Sequence, residues 1–290
     1  MEKKNEPKVL FRDQYLIIES EWIKSTGRDI EILIARPIKN AKSKEETPGV
    51  LWLHGGGYMQ GTARMIFISR AIDLVKKYGA VLISPEYRLS KEAPYPAALE
   101  DAYSALKYLK EHSLELDYNP SQIFVGGESA GGGLTAGLCM YARDKGEVNV
   151  AFQMPLYPML DNIDTETSKN NTAPIWNTRK NHKAWKMYLG DLYEKEDVPP
   201  YAAPARQNDY SNLPPMYTFV GDLEPFLDET ITYARKLKEA GIESSVDVYT
   251  NCVHAFDMYM PFREISKIAI MKFEEAFVYA MNNYYADQKN

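Results

Sequence analysis

Gly127-Glu128-Ser129-Ala130-Gly131 is the stretch whose residue types and spacing most directly imply chemistry. Gln122-Ile123-Phe124-Val125 precedes it as a short run of strand type, and Leu134, Leu138 and Tyr141 follow at helical spacing. A strand that turns directly into a helix through Gly-x-Ser-x-Gly holds its serine on a tight elbow, where only glycine lets backbones pass so closely. The hydroxyl then stands clear as a nucleophile. The N–H of Ala130 opens the helix beside it, an unsatisfied donor at the positive end of the helix dipole, where a developing negative charge is stabilised.

An activated serine needs a base, and the chain offers only His54, His112, His182 and His254. His54 precedes three glycines at a strand end, His112 closes a helix and His182 falls in an irregular segment. His254 follows the final strand, so its loop can reach back over Ser129 at the carboxyl edge of a sheet. The base in turn wants a carboxylate to fix its tautomer. The loop after Phe219-Val220 supplies Asp222, Glu224 and Asp228. Glu224, immediately before Pro225 at a helix entrance, is the favoured acid, with Asp222 its rival and Asp228 a turn further on. Backbone donors for an oxyanion must come from a neighbouring strand end, and Gly55-Gly56-Gly57 has no side chains to block approach. The plainer reading of those glycines is a flexible turn. None of this chemistry calls for a metal or a cofactor.

These groups need a frame. Tyr15 to Lys24 and Ile30 to Arg36 read as two strands joined by the turn-rich Ser25-Thr26-Gly27-Arg28-Asp29, a pair expected to cover a sheet edge. A charged loop from Ala41 to Thr47 leads to Val50-Leu51-Trp52-Leu53, an apolar run of the kind buried on both faces of a parallel sheet. A helix from Arg64 to Lys77 stops near Gly79, Ala80 to Ser84 is a buried strand, and Pro96 opens a helix carrying Leu99, Ala102, Leu106 and Leu109 on one face. After the elbow come a strand from Val148 to Met154, the strand Met216 to Val220, a helix from Pro225 to Gly241 and the strand Ser245 to Tyr249. A last helix, Phe262 to Tyr284, carries Ile265, Ile268, Phe273, Ala276 and Ala280 as its expected core stripe. Apolar strands alternating with amphipathic helices mean parallel βαβ units with right-handed crossovers, here an α/β sheet with an antiparallel entry.

Between Tyr157 and Leu213 that rhythm breaks. A segment this long without strand patterning is expected to be a lid or binding insertion, and its aromatics Trp176, Trp185 and Tyr188 either wall a pocket or pin the insertion to the body. With no second core and no linker, residues 1–290 are expected to form one domain carrying this cap.

Composition narrows the class of partner. The chain has 290 residues, 45% of them hydrophobic, and its 34 basic and 40 acidic side chains leave a net charge of −6. That is an ordinary globular composition without the basic footprint of a nucleic-acid or anionic-membrane binder, so a small neutral or weakly charged ligand is expected. Cys139 and Cys252 lie far apart and ask for no oxidising compartment. Met1-Glu2-Lys3-Lys4-Asn5-Glu6-Pro7 has charges but no apolar stretch behind it, and no window has the length and apolarity of a membrane span, so a cytoplasmic protein is expected. Oligomeric state is left open, with a homodimer among the options.

In order along residues 48 to 260, several motifs together resemble the hormone-sensitive-lipase family of α/β-hydrolase carboxylesterases, of bacterial type. They are His54-Gly55-Gly56-Gly57, Glu86-Tyr87-Arg88-Leu89, Pro94-Tyr95-Pro96 through Asp101, Gly127-Glu128-Ser129-Ala130-Gly131-Gly132, Glu224 to Glu229 and His254-Ala255-Phe256. The resemblance implies the α/β-hydrolase fold, a mostly parallel twisted sheet of about eight strands with helices on both faces. It implies Ser129 as nucleophile, His254 as general base and acid, and Glu224 where most members carry aspartate. Gly56, Gly57 and Ala130 would donate to the oxyanion, His54 would brace its loop, and Tyr87 and Arg88 would be framework. The implied substrate is a small ester, with short acyl chains favoured by a chain that shows no extended apolar surface. Only a short segment precedes Tyr15 here, so the insertion must do covering that a helical cap before the first strand does in many relatives.

Overall fold

A computed structural model describes residues 7–38 and 43–289 of the chain. The first six residues and residues 39–42, on which parts of the charged-terminus and charged-loop readings fall, lie outside it. Three strands open the chain: β1 (Lys8–Arg12), β2 (Leu16–Ser25) and β3 (Arg28–Pro37). Then β4 (Pro48–Leu53), α1 (Ala71–Tyr78), β5 (Val81–Pro85), α2 (Ala97–Glu111), β6 (Asn119–Glu128), α3 (Ala130–Lys145) and β7 (Phe152–Leu156) alternate. After the insertion, which holds α4 (Thr178–Leu189), come β8 (Met216–Gly221), α5 (Leu227–Glu239), β9 (Ser244–Tyr249), α6 (Phe256–Tyr259) and α7 (Glu264–Asn283).

The strands form one sheet in the order β1-β2-β3-β5-β4-β6-β7-β8-β9. β1 to β3 and the junction of β3 with β5 are antiparallel, and every pair from β5 through β4 to β9 is parallel. β5 lies on one side of β4 and β6 on the other, so the strand order reverses at β4. Ligands of open α/β sheets bind outside the carboxyl ends of the strands at such a reversal. The two segments that leave those ends, Gly55-Gly56-Gly57 after β4 and Ser129 after β6, are therefore neighbours by topology alone.

Alternation along β4 and β6 divides the core. Leu51, Leu53, Ile123 and Val125 pack under α2 and α3 on one face. Val50, Trp52 and Phe124 pack under α1 and α7 on the other.

The described sheet has nine strands, because β1 pairs outside the expected edge hairpin. β1 is mostly exposed, only Leu10 packing against the core, and carries a bulge between Val9 and Phe11, so burial leaves no alternation in its sequence and its ladder to β2 chiefly defines it. The helix expected from Arg64 divides into a 3₁₀ turn (Ala63–Phe67) and α1. Thr62 caps the turn by accepting the Arg64 N–H, and the Ser69 hydroxyl accepts the Ala71 N–H at the break. On α7 the buried positions are Ser266, Ala269, Phe273, Phe277, Ala280 and Met281. Ile268, expected in that stripe, is 37% exposed. The true stripe steps through small residues that let α7 lie close to the sheet, which hydrophobicity alone does not mark.

Candidate active site

Ser129 sits at φ +58°, ψ −118°, between β6 and α3. A non-glycine residue at positive φ is strained, and the surroundings here over-determine it. Its N–H donates to Leu156 O at 2.9 Å at the end of β7, and its carbonyl accepts from Gly133 N at 2.9 Å and Met159 N at 3.0 Å. The glycines on either side permit this closeness: a Cβ on Gly127 would lie 2.4 Å from Leu53 O, one on Gly131 2.1 Å from the same oxygen and one on Gly133 2.0 Å from Met159 O. The Ser129 N–H is already used, and the next one, that of Ala130, is the first of α3 and has no intrahelical acceptor.

His254 stands on the loop between β9 and α6. Its Nε2 is 2.8 Å from Ser129 Oγ, the hydroxyl donating, and its Nδ1 donates to Glu224 Oε2. The other oxygen of Glu224 accepts the Gly221 N–H at 3.2 Å. Ser129 is 7% exposed, His254 3% and Glu224 0%, so the hydrogen-bonded chain is shut away from water. Asp222 stays off this chain. Its N–H is fixed to Tyr249 O, and one carboxylate oxygen is buried without a partner. Asp228 accepts the Thr167 N–H at 2.9 Å, tying α5 to the insertion.

The other histidines go elsewhere. His182 faces Asp164 on the surface of the insertion, and His112 bonds Tyr108 O at the end of α2. His54 is buried, its ring nitrogen Nδ1 2.8 Å from Gly55 O and its ring stacked on Tyr87 at 4.1 Å. The Tyr87 hydroxyl donates to His54 O at 2.6 Å. Desolvation pushes the His54 imidazole down to about 4, so it is neutral and donates Nδ1–H to the carbonyl that begins the glycine loop. Arg88 grips both oxygens of Asp101 at 2.9 Å, fixing the Tyr87 strand end to α2.

Gly56 and Gly57 take φ of +118° and +62°. Neither donates its N–H to a protein group among the described residues. A Cβ on Gly55 would meet Glu128 O at 3.0 Å and Ser129 Cβ at 3.4 Å, which places this loop directly against the elbow. Over it lies the insertion. A Cβ on Gly57 would meet Trp176 Cη2 at 2.4 Å and Ala184 Cβ at 3.3 Å, and Tyr188 stacks on Tyr58 with centroids 3.7 Å apart. Trp176 is also 6.1 Å from the His254 ring. The α4 positions 181, 184, 185 and 188 are buried at helical spacing, and they face the glycine loop.

Sequence reasoning left out a group on the far side of the elbow. Trp52 donates its indole N–H to Glu128 Oε2 at 2.8 Å, and buried Tyr157 and Asp257 and the half-buried Arg70 lie nearby. Glu128 offered the one available signal, a charged residue at the end of a strand otherwise buried throughout.

A strand-order reversal carrying a serine elbow, with a histidine returning from the last strand, is the architecture of an α/β-hydrolase. The sequence pattern described as alpha/beta hydrolase fold matches residues 50–258, and the chain belongs to that family. Esterase LipI of Mycobacterium tuberculosis is 32% identical over 223 residues, 74% of this chain and 67% of its own length. Carboxylesterase NlhH of the same organism is 31% identical over 220 residues, 73% of this chain and 67% of its own. Among solved structures, a bacterial heroin esterase superposes with a TM-score of 0.84 at 33% identity, covering 91% of this chain and 84% of that one. An esterase from Pyrobaculum calidifontis gives 0.80 at 29% identity over 97% and 86%. These relatives bear out the resemblance to carboxylesterases of the hormone-sensitive-lipase type.

Proposed function

We propose that the protein is a serine carboxylesterase that hydrolyses short-chain acyl esters through an acyl-enzyme. The reading is carried by one observation, the hydrogen bond from Ser129 Oγ to His254 Nε2 at 2.8 Å with Glu224 behind the imidazole. His254 Nε2 takes the hydroxyl proton as Oγ attacks the ester carbonyl carbon, and Glu224 stabilises the imidazolium. The oxyanion accepts from the N–H groups of Gly56, Gly57 and Ala130. His254 then gives the proton to the departing alkoxide, and the alcohol leaves. Water, deprotonated by the same nitrogen, attacks the acyl carbon; the bond to Ser129 Oγ breaks, His254 returns the proton to Oγ, and the acid leaves.

In this reading residues 157–213 are the cap of a single domain. Trp176, set between His254 and Gly57, bounds the acyl side and favours small acyl groups. The partner is a small ester, and among the described residues no helix is long and apolar enough to cross a membrane. Cytoplasmic residence belongs to the same proposal, supported by two buried, unpaired cysteines. So does a homodimer, for which β1 and β9, the edge strands among the described residues, would supply ladder groups.

A fluorophosphonate probe followed by peptide mapping, together with p-nitrophenyl esters from acetate to laurate, tests the proposal. Labelling at Ser129, turnover falling with chain length and no turnover by Ser129→Ala are expected. Ligand recovered unchanged would make the protein a binder, and faster cleavage of matched anilides or thioesters would move the leaving atom from oxygen to nitrogen or sulfur.

A further inference from the structure

Behind the elbow, on the α1 and α7 face of the sheet, five buried polar atoms lack a hydrogen bond of good geometry, Glu128 Oε1, both carboxylate oxygens of Asp257, Arg70 Nε and Tyr157 Oη, although Tyr157 and the Met258 N–H approach Asp257 and Ser69 approaches Glu128. They belong to one cluster. Arg70 Nε is 3.9 Å from Asp257 Oδ2, and the field of both residues acts on Glu128. Tyr157 faces Asp257, Glu128 and Arg70. Glu128 points here because β6 alternates: its side chain shares a face with Gly126, over which the Trp52 ring lies, and that ring reaches forward to Glu128 Oε2. Buried polar groups are nearly always paired, so a concentration of orphans at one place demands a cause.

Charge supplies it. Two buried carboxylates and one guanidinium, itself only partly exposed, leave an uncompensated negative charge, which burial of the carboxylates penalises heavily. One proton removes it. We propose that Glu128 carries that proton on Oε1 at neutral pH, and that the resulting neutral cage of Glu128, Asp257 and Arg70 is a positioning device that holds the nucleophile and base segments in register.

Glu128 is the site because the groups within bonding reach of it, the Trp52 indole and the Ser69 hydroxyl, are neutral, whereas Asp257 faces the Arg70 guanidinium. The Oε1 proton is donated toward Asp257, directly or through one bridging water. Position gives the cage its effect. Glu128 immediately precedes Ser129, and Asp257 lies three residues after His254, at the first turn of α6. A hydrogen bond between them joins the two segments, and two carboxylates in its place repel. Burial pushes the Glu128 carboxyl up to about 8 and that of Asp257 to about 6, which gives the proton to the same residue. The groups facing Glu128 are Trp52 from β4, Ser69 and Arg70 from the start of α1, Tyr87 beyond β5, Tyr157 beyond β7 and Asp257 from α6.

The effect on turnover rests on Ser129 and His254 being nucleophile and base, so the test has one arm that does not. Infrared difference spectra of the folded wild type against Glu128→Gln at neutral pH are expected to show the C=O stretch of a protonated carboxylic acid, lost as pH rises past about 8. In parallel, kcat for p-nitrophenyl acetate falls over the same pH interval in the wild type and stays level in Glu128→Gln, whose amide keeps an acceptor for Trp52. Asp257→Asn leaves Arg70 with Glu128 as its only carboxylate. Its acid band disappears at lower pH than that of the wild type. Absence of the band from the wild type at neutral pH, or an equal alkaline fall in Glu128→Gln, overturns the proposal. If Glu128→Gln does not fold, a band unmoved in Asp257→Asn overturns it equally. Loss of activity in Ser129→Ala bears only on the reading of the triad.

Discussion

Glu224 reaches His254 with a side chain one methylene longer than aspartate, and both of its oxygens are in use, one by the imidazole and one by the Gly221 N–H. An amide cannot serve both donors, since one end of Gln would set N–H against N–H. Glu224→Gln is therefore expected to lower kcat for p-nitrophenyl acetate by roughly 10³ to 10⁴, while Asp222→Asn stays within a few-fold of wild type. A larger loss in Asp222→Asn would transfer the acid role to it. In the sequence, Asp222, Glu224 and Asp228 were hard to separate because side-chain direction in a loop follows no period. What separates them in space is main-chain pairing: the Asp222 N–H is tied to β9, and Asp228 is spent on Thr167. Ser129 was legible for the opposite reason, because an elbow between a buried strand and a helix admits few sequences.

At the level of elements, α4 of the insertion rests on the glycine loop that follows β4, with Trp176 filling the space a Cβ on Gly57 would need. Gly57→Ala is accordingly expected to push Trp176 and the loop apart and to cut kcat/KM at least about 100-fold, the scale on which an ångström of misplacement matters. The double variant Gly57→Ala/Trp176→Ala removes the clash and leaves only the strain of φ +62°, so it should recover part of the loss. Recovery absent from steady-state kinetics on p-nitrophenyl acetate would mean that the clash is not what Gly57 avoids. The alternation of buried strands and helices was readable throughout this region because each strand lies between two helical layers. Three features escaped. β1 is held chiefly by its ladder, the helix expected from Arg64 breaks before α1 at Ser69, and the stripe of α7 includes the small residues Ser266, Ala269 and Ala280. In each, hydrogen bonding or close approach decided the outcome, and hydrophobic periodicity is blind to both.

Across the whole molecule, the two ends of the strand-order reversal bury titratable groups whose demands on protons oppose each other. His54, beside the glycine loop, is held down to about 4 against its ordinary 6.5, so its contribution to stability is present above 6.5 and lost as pH falls toward 4. Glu128, beneath the elbow, is held up to about 8 against 4.5, so its contribution is present below 4.5 and lost as pH rises through 8. Asp257 acts in the same sense as Glu128 over the lower window from 3.8 to 6. From 6.5 to 8 only Glu128 among these three changes its relative occupancy, and Tm of the wild type should fall across that interval. From 6.5 down to about 6 the pull of His54 is offset by Glu128, and from 6 to 4.5 Glu128 and Asp257 together outweigh it, so these three groups make wild-type Tm rise as pH falls through that lower window. Glu128→Gln removes one opponent, so in that variant the decline from 6.5 to 8 should flatten and the rise of Tm that wild type shows as pH falls below 6 should be lost. Calorimetric scans of both proteins at pH 4.5, 5.5, 6.5 and 8 measure both slopes, and parallel curves would mean that Glu128 is ionised in the folded protein throughout.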